Sequence, residues 1–125
     1  MSVNSVFLVA LGGSVGAVLR WVADSIAPVS QAPIATLFVN LIGSFLLGAI
    51  MATYSLGLTS KESVQLIGVG LLGSFTTMST YAFQTLEIGN SAGIASMAIY
   101  MSFTALGCPL MALGGWRLAS ALASH

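Results

Sequence analysis

Gly68-Val-Gly70-Leu-Leu-Gly73-Ser-Phe-Thr76-Thr77-Met78-Ser79-Thr80-Tyr81 combines two signals that ordinarily exclude each other. It lies within an apolar run from about Val64 to Ile88, and about 20 such residues suffice to cross a bilayer core. Backbone in lipid must satisfy its own hydrogen bonds, which makes a run of this kind a helix. Yet three glycines lead into a dense polar block of Ser74, Thr76, Thr77, Ser79, Thr80, Tyr81 and Gln84. Glycine and β-branched threonine are poor helix formers, so the stretch predicts a helix broken at mid-membrane depth. Such a break is tolerated only where protein or a cavity surrounds it. Its freed carbonyls then suit a cation, and its freed N–H groups an anion. A continuous helix with small residues for packing is the alternative.

The remainder of the chain has the same character. Of its 125 residues, 57% are hydrophobic and 5% charged, and mean hydropathy is +1.00. A soluble domain carries about 25% charged residues, so the bilayer is the natural solvent. Formal net charge is zero, which leaves no electrostatic footprint for nucleic acid. The single cysteine, Cys108, excludes an internal disulfide, and the single histidine, His125, argues against a histidine-based metal site. Three further apolar stretches run about Val6–Ile26, Ala32–Leu56 and Ala92–Ala121, separated by Ala27-Pro28 and by the polar segment 57–62. Met1 to Val6 holds no Lys or Arg, so the first stretch is expected to be a true span and not a cleaved leader. The expected architecture is all-α: one membrane domain over residues 1–125, with four spans and the third broken. Trp21, Tyr54 and Trp116 fall near span ends, as an interfacial aromatic belt requires. Pro33 suits an early helical position.

With four spans, Arg20 lies on one side of the membrane and Lys61 and Arg117 on the other. A split of one against two is too slight for the positive-inside rule to set orientation. Insertion both ways round and a single orientation set by one loop lysine are both compatible with it. Small-residue pairs, Gly12-x-x-x-Gly16, Gly13-x-x-x-Ala17 and Ser44-x-x-x-Gly48, allow close helix approach, either within the chain or between copies. Because four thin helices make a poor pore, an oligomer is expected.

Polar groups within spans face protein or water. Thr36, Asn40 and Ser44 recur at i, i+4, i+8, and so do Ser96, Tyr100 and Thr104. A serine or threonine here commonly bonds its own i−4 carbonyl. The Asn40 amide has two donors and an acceptor, more than its own helix can satisfy. The stripes hold no carboxylate: Asp24, Glu62 and Glu87 all lie near span ends. Neutral hydroxyls and amides suit a small anion, held weakly enough to leave. Arg20 is either a snorkelling anchor or a vestibule residue that attracts anions.

Three motifs in order carry a resemblance. Gly12-Gly-x-x-Gly16-Ala-x-x-Arg20-Trp21, Thr36-Leu-x-Val-Asn40-x-x-Gly43-Ser-Phe-x-x-Gly48 and Gly70-x-x-Gly73-x-x-Thr76-Thr77-x-Ser79-Thr80 resemble the first-, second- and third-helix signatures of the CrcB/Fluc fluoride channels. The resemblance spans nearly the whole chain. It implies a passive fluoride exporter of the bacterial inner membrane, an antiparallel dual-topology homodimer with two pores. It further implies a structural sodium ion at the dimer centre, held by the backbone carbonyls of Gly73 and Thr76. By the same resemblance Asn40 and Thr36 line the fluoride pore with Ser79, Thr80 and Tyr100. Gln84 and Thr104 join them as candidates from the polar block and stripe.

The chain departs from the family where two phenylalanines are usual. Those positions hold Met78 and Tyr81, and Gln84 stands where the family commonly has glutamate. Phenylalanine offers an anion its positive ring edge. Tyr81 keeps a ring; Met78 does not. These changes raise the alternative of a variant or partner subunit in a heterodimeric channel. A small multidrug-type transporter is the other four-helix reading, but it needs an acid within the first span, which has none before Asp24.

Overall fold

The computed structural model describes residues 3–124, so Met1 and His125, on which two of the sequence arguments touch, lie outside the described residues. Helix α1 is Val3–Ile26 and α2 is Ala32–Ser55. The third span, Lys61–Ala92, comprises α3 (residues 61–75) and α4 (Met78–Ala92), and α5 is Ile94–Ala123. All four spans are long and apolar enough to cross a membrane. The 24 residues of α1 give about 36 Å at 1.5 Å per residue, enough for a hydrocarbon core of about 30 Å.

Local chemistry sets the ends. Pro33 occupies the first turn of α2, where its missing N–H costs nothing. The Ser60 hydroxyl caps α3 by accepting the Ser63 N–H at 3.2 Å. Gly93, at φ +87°, is the single residue between α4 and α5; its left-handed backbone is costly for any side chain but glycine's.

The bundle packs α1 on α3 and α2 on α5. A Cβ on Gly12 would collide with the Leu66 carbonyl oxygen, and one on Gly16 with that of Leu71. A Cβ on Gly48 would meet the Ala112 carbonyl, and one on Gly115 that of Phe45. Gly12, Gly16 and Gly48 are therefore spent on contacts within the chain. Between Val64 and Leu72, α3 winds as a π-helix, and the Gly73 N–H reaches back to the Gly68 carbonyl. An i→i+5 ladder links groups five residues apart on successive turns, where an α-helix links groups four apart. Leu66 and Leu71 thus present carbonyls at the one-turn spacing of Gly12 and Gly16.

Burial is inverted relative to a soluble protein. The largest apolar side chains face outward, and the described buried side chains comprise six polar residues (Thr36, Asn40, Thr77, Gln84, Thr85 and Thr104) against Val39, Ala52, Leu72 and Tyr100. Lipid rewards the apolar exterior, so the polar groups must find partners inside. The chain is a multi-pass membrane protein.

Gly12→Val should destabilise the bundle by about 1–3 kcal/mol, the usual penalty of overpacking, because backbone and not a flexible side chain blocks the new Cβ. Gly13→Ala, whose Cβ would lie 3.2 Å from the movable Ser74 hydroxyl, should be far milder. Thermal unfolding of the two purified variants in detergent checks the contrast.

Candidate functional site

Helical dihedrals stop within the third span at Thr76 (φ −75°, ψ 155°) and Thr77 (φ −145°, ψ 119°), and helix resumes at Met78. In an unbroken α-helix the Thr77 N–H would donate to the Gly73 carbonyl. Here it donates to Asn40 Oδ1 at 2.8 Å, while Asn40 Nδ2 donates to the Thr77 carbonyl at 3.0 Å. One amide of α2 thereby satisfies both backbone groups of the most displaced residue. Each such bond is worth about 0.5–1.5 kcal/mol net, and stranding either group would cost about 1–3 kcal/mol.

The other loose ends are distributed in order. Ser74, which would accept from Met78, instead accepts from Arg20 Nε at 3.3 Å. Arg20 also lies 3.7 Å from Asp24, one turn along α1. A guanidinium at the C-terminal end of α3 meets the negative pole of that helix. Neither expectation for Arg20 anticipated this contact, because nothing in the spacing pairs positions 20 and 74. Thr76 returns both its N–H and its hydroxyl to the Leu72 carbonyl, at 3.1 and 3.0 Å. Thr77 then caps α4: its hydroxyl accepts the Thr80 N–H at 3.2 Å and lies within 3.3 Å of the Ser79 and Thr80 hydroxyls. Among the described residues, the carbonyls of Gly73, Phe75 and Thr76 and the N–H groups of Met78 and Ser79 have no protein partner. One interruption therefore presents free acceptors at the end of α3 and free donors at the start of α4.

An open cleft of about 390 Å³ lies beside the break, and Asn40, Thr76, Thr77, Met78, Tyr81 and Thr104 are among its lining residues. One N–H of the Asn40 amide is spent on Thr77, and the other has no protein partner. Met78 is 73% exposed. Pro109 also lines the cleft; it lies inside α5 and cannot donate to the Ala105 carbonyl on the same wall. Ser44 lines the cleft too, whereas Ser96, in the first turn of α5, bonds the carbonyl of Ala92, the last residue of α4, at 3.2 Å.

Other candidates gather in a second cluster. Tyr100 donates its hydroxyl to Gln84 Oε1 at 3.0 Å, its ring lies 5.5 Å from that of Tyr81, and its carbonyl accepts the Thr104 hydroxyl at 3.2 Å. Tyr81 thus links this buried network to the cleft. Thr36 is 1% exposed, and its hydroxyl oxygen is buried without a partner. Such an orphan in a native structure points to an ion or water. Among the described residues no group of three His, Cys, Asp or Glu side chains converges, so a cation here would depend on carbonyl oxygens.

Residues 7–116 match the family of the CrcB-like protein, Camphor Resistance (CrcB). The chain belongs to the CrcB family. Within it, the fluoride-specific ion channel FluC of Shewanella frigidimarina is 52% identical over 87 residues, covering 66% of this chain and 69% of the relative. FluC of Shewanella woodyi is 40% identical over 119 residues, covering 92% and 95%. The match to the CrcB family includes α1 from Phe7, all of α2 to α4, and α5 as far as Trp116, so the Asn40–Thr77 pair, Arg20 and the cleft all lie inside it.

Thr77→Val should remove the cap of α4 and leave the Thr80 N–H unpaired, at a cost of about 0.5–2 kcal/mol. Thr77→Ser should retain most of the stability. Denaturant titration of both variants in mixed micelles is the check.

Proposed function

We propose that this CrcB-family protein is a passive fluoride-selective channel that exports fluoride from the cytoplasm across the bacterial inner membrane. It is an ion channel and not an enzyme. The observation that carries the reading is the break in the third span, where a neutral amide, hydroxyls and unpartnered N–H groups converge beside an open cleft. The relatives named as fluoride-specific channels supply the ion. Fluoride has small radius and high charge density, and it sheds its water only for strong donors. The second Asn40 N–H, the Thr36 hydroxyl and the start of α4 offer donors without a fixed positive charge that would trap the ion. No carboxylate is among the cleft-lining residues, so a proton-coupled carrier finds no acid there. The Ser79 and Thr80 hydroxyls and the Tyr81–Tyr100–Gln84 cluster extend the polar surface along α4 and α5. Arg20 supplies positive potential at the end of α3.

The dimer is part of the proposal. A single chain leaves the cleft open and Gly73 and Met78 exposed at its surface. A second copy, inserted antiparallel, would close two clefts into two pores. The free Gly73 and Thr76 carbonyls fit a sodium ion at the centre, two from each copy, since unwound carbonyls are hard oxygen donors of the kind that hold sodium. When bound, that ion would neutralise the facing carbonyl dipoles and brace the two breaks against each other.

Purified protein in liposomes should release fluoride passively, with no proton gradient, and should exclude chloride. Chloride efflux at a similar rate, or strict dependence on a proton gradient, would overturn the reading. Single cysteines placed in the 57–60 loop should label from both sides of the membrane in whole cells; labelling from one side only rejects the antiparallel arrangement.

Met78→Phe returns a ring edge to the cleft, so fluoride efflux should rise or stay high at matched dimer content. Methionine's polarizable thioether substitutes only in part for that edge. A large loss of flux in this variant would show a pore rebuilt around methionine.

A further inference from the structure

We infer that Asn40 is a positioning residue for the cation at the break, and that its acceptor oxygen, not its donor, does this. The inference rests on the sodium reading above and adds to it the residue that keeps the cation's ligands available. The Gly73 carbonyl is free because its natural partner is elsewhere: the Thr77 N–H, due to bond it in an α-helix, is held 2.8 Å from Asn40 Oδ1. Asn40 is 6% exposed and Thr77 8%, so water does not take over either role. Asn40 Nδ2 also bonds the Thr77 carbonyl at 3.0 Å, but that carbonyl is not one of the cation's proposed ligands, so the donor leaves their availability unchanged. The tight fit of Gly43, whose added Cβ would collide with the Thr76 methyl group, keeps α2 at the distance that this grip needs. Arg20 acts on the neighbouring group: it occupies the Ser74 carbonyl at 3.3 Å and so removes that oxygen from the cation's possible ligands. The acceptors left open at this end of α3 are Gly73, Phe75 and Thr76.

Without an acceptor at position 40, the Thr77 N–H is an orphan at membrane depth, and the nearest remedy is the Gly73 carbonyl four residues back. Taking it would extend α3 by one residue, consume one cation ligand and turn the Thr76 carbonyl from its present direction. Asn40, which lines the cleft, thus also governs whether the Gly73 carbonyl stays available to the cation.

The experiment is thermal unfolding of the full-length protein in detergent, with Na⁺ titrated against N-methyl-D-glucamine at constant ionic strength. A ligand of the folded state raises stability with the logarithm of its concentration above its dissociation constant, so the Na⁺ midpoint separates cation affinity from general destabilisation. Wild type should show a Na⁺-dependent rise. Asn40→Leu and Asn40→Ser, neither of which offers an acceptor within reach of Thr77, should shift the midpoint at least tenfold or abolish the rise, whatever their baseline stability. Asn40→Asp retains an acceptor oxygen at the same reach and should keep the midpoint within about threefold of wild type. A Na⁺ midpoint in Asn40→Leu or Asn40→Ser equal to that of wild type overturns the inference while leaving the sodium reading intact. A loss in Asn40→Asp as complete as in Asn40→Leu overturns the assignment to the acceptor oxygen. A wild type indifferent to Na⁺ overturns the sodium reading itself, and the inference with it.

Discussion

The reciprocal pair between the Asn40 amide and the Thr77 peptide is the interaction on which the rest of the architecture depends. Two consecutive residues with extended backbone in the middle of a transmembrane span would be prohibitively costly in lipid if left alone. The pair makes the break affordable by satisfying both backbone groups of one residue, Thr77, from a neighbouring helix. It also decides which groups remain unsatisfied. Carbonyls are left at the end of α3 and N–H groups at the start of α4, so a single defect presents both signs of partial charge to its surroundings.

Everything around this pair serves to hold α2 and α3 in place. Gly12 and Gly16 let α1 lie against the carbonyl ridge of the π-wound segment, and from there Arg20 reaches Ser74. Gly48 and Gly115 lock α2 to α5 through mutual backbone contact. In lipid there is no hydrophobic gain from helix association, so close backbone packing and internal hydrogen bonds carry the stability. The same economy explains the interior: buried positions go to threonine, asparagine and glutamine because a membrane protein need not bury its leucines.

This arrangement also accounts for the chain's tolerance of Met78 and Tyr81. Both flank the N-terminal turn of α4, but the geometry of that turn comes from Thr77, whose hydroxyl caps it. Met78 is largely exposed and lines the cleft. Substitution at Met78 changes the wall of the cleft while the Thr77 cap of α4 is left in place.

The sequence by itself determined the four spans, their approximate ends and the polar block of the third, because hydropathy and length are local properties and lipid enforces helix on any long apolar run. It also singled out Asn40, since an amide in lipid must have a partner beyond its own helix. The identity of that partner was beyond it: Asn40 and Thr77 are 37 residues apart, Arg20 and Ser74 are 54 apart, and no periodicity links such positions. Nor did composition announce the π winding of Val64–Leu72, whose Leu66 and Leu71 carbonyls come to face Gly12 and Gly16 of α1. The small-residue pairs were legible as contact surfaces, but whether they met a helix of the same chain or of another copy was open. Only the tertiary structure decided that, because the answer depends on which backbone arrives opposite each glycine, and that is settled by the packing of all the helices together.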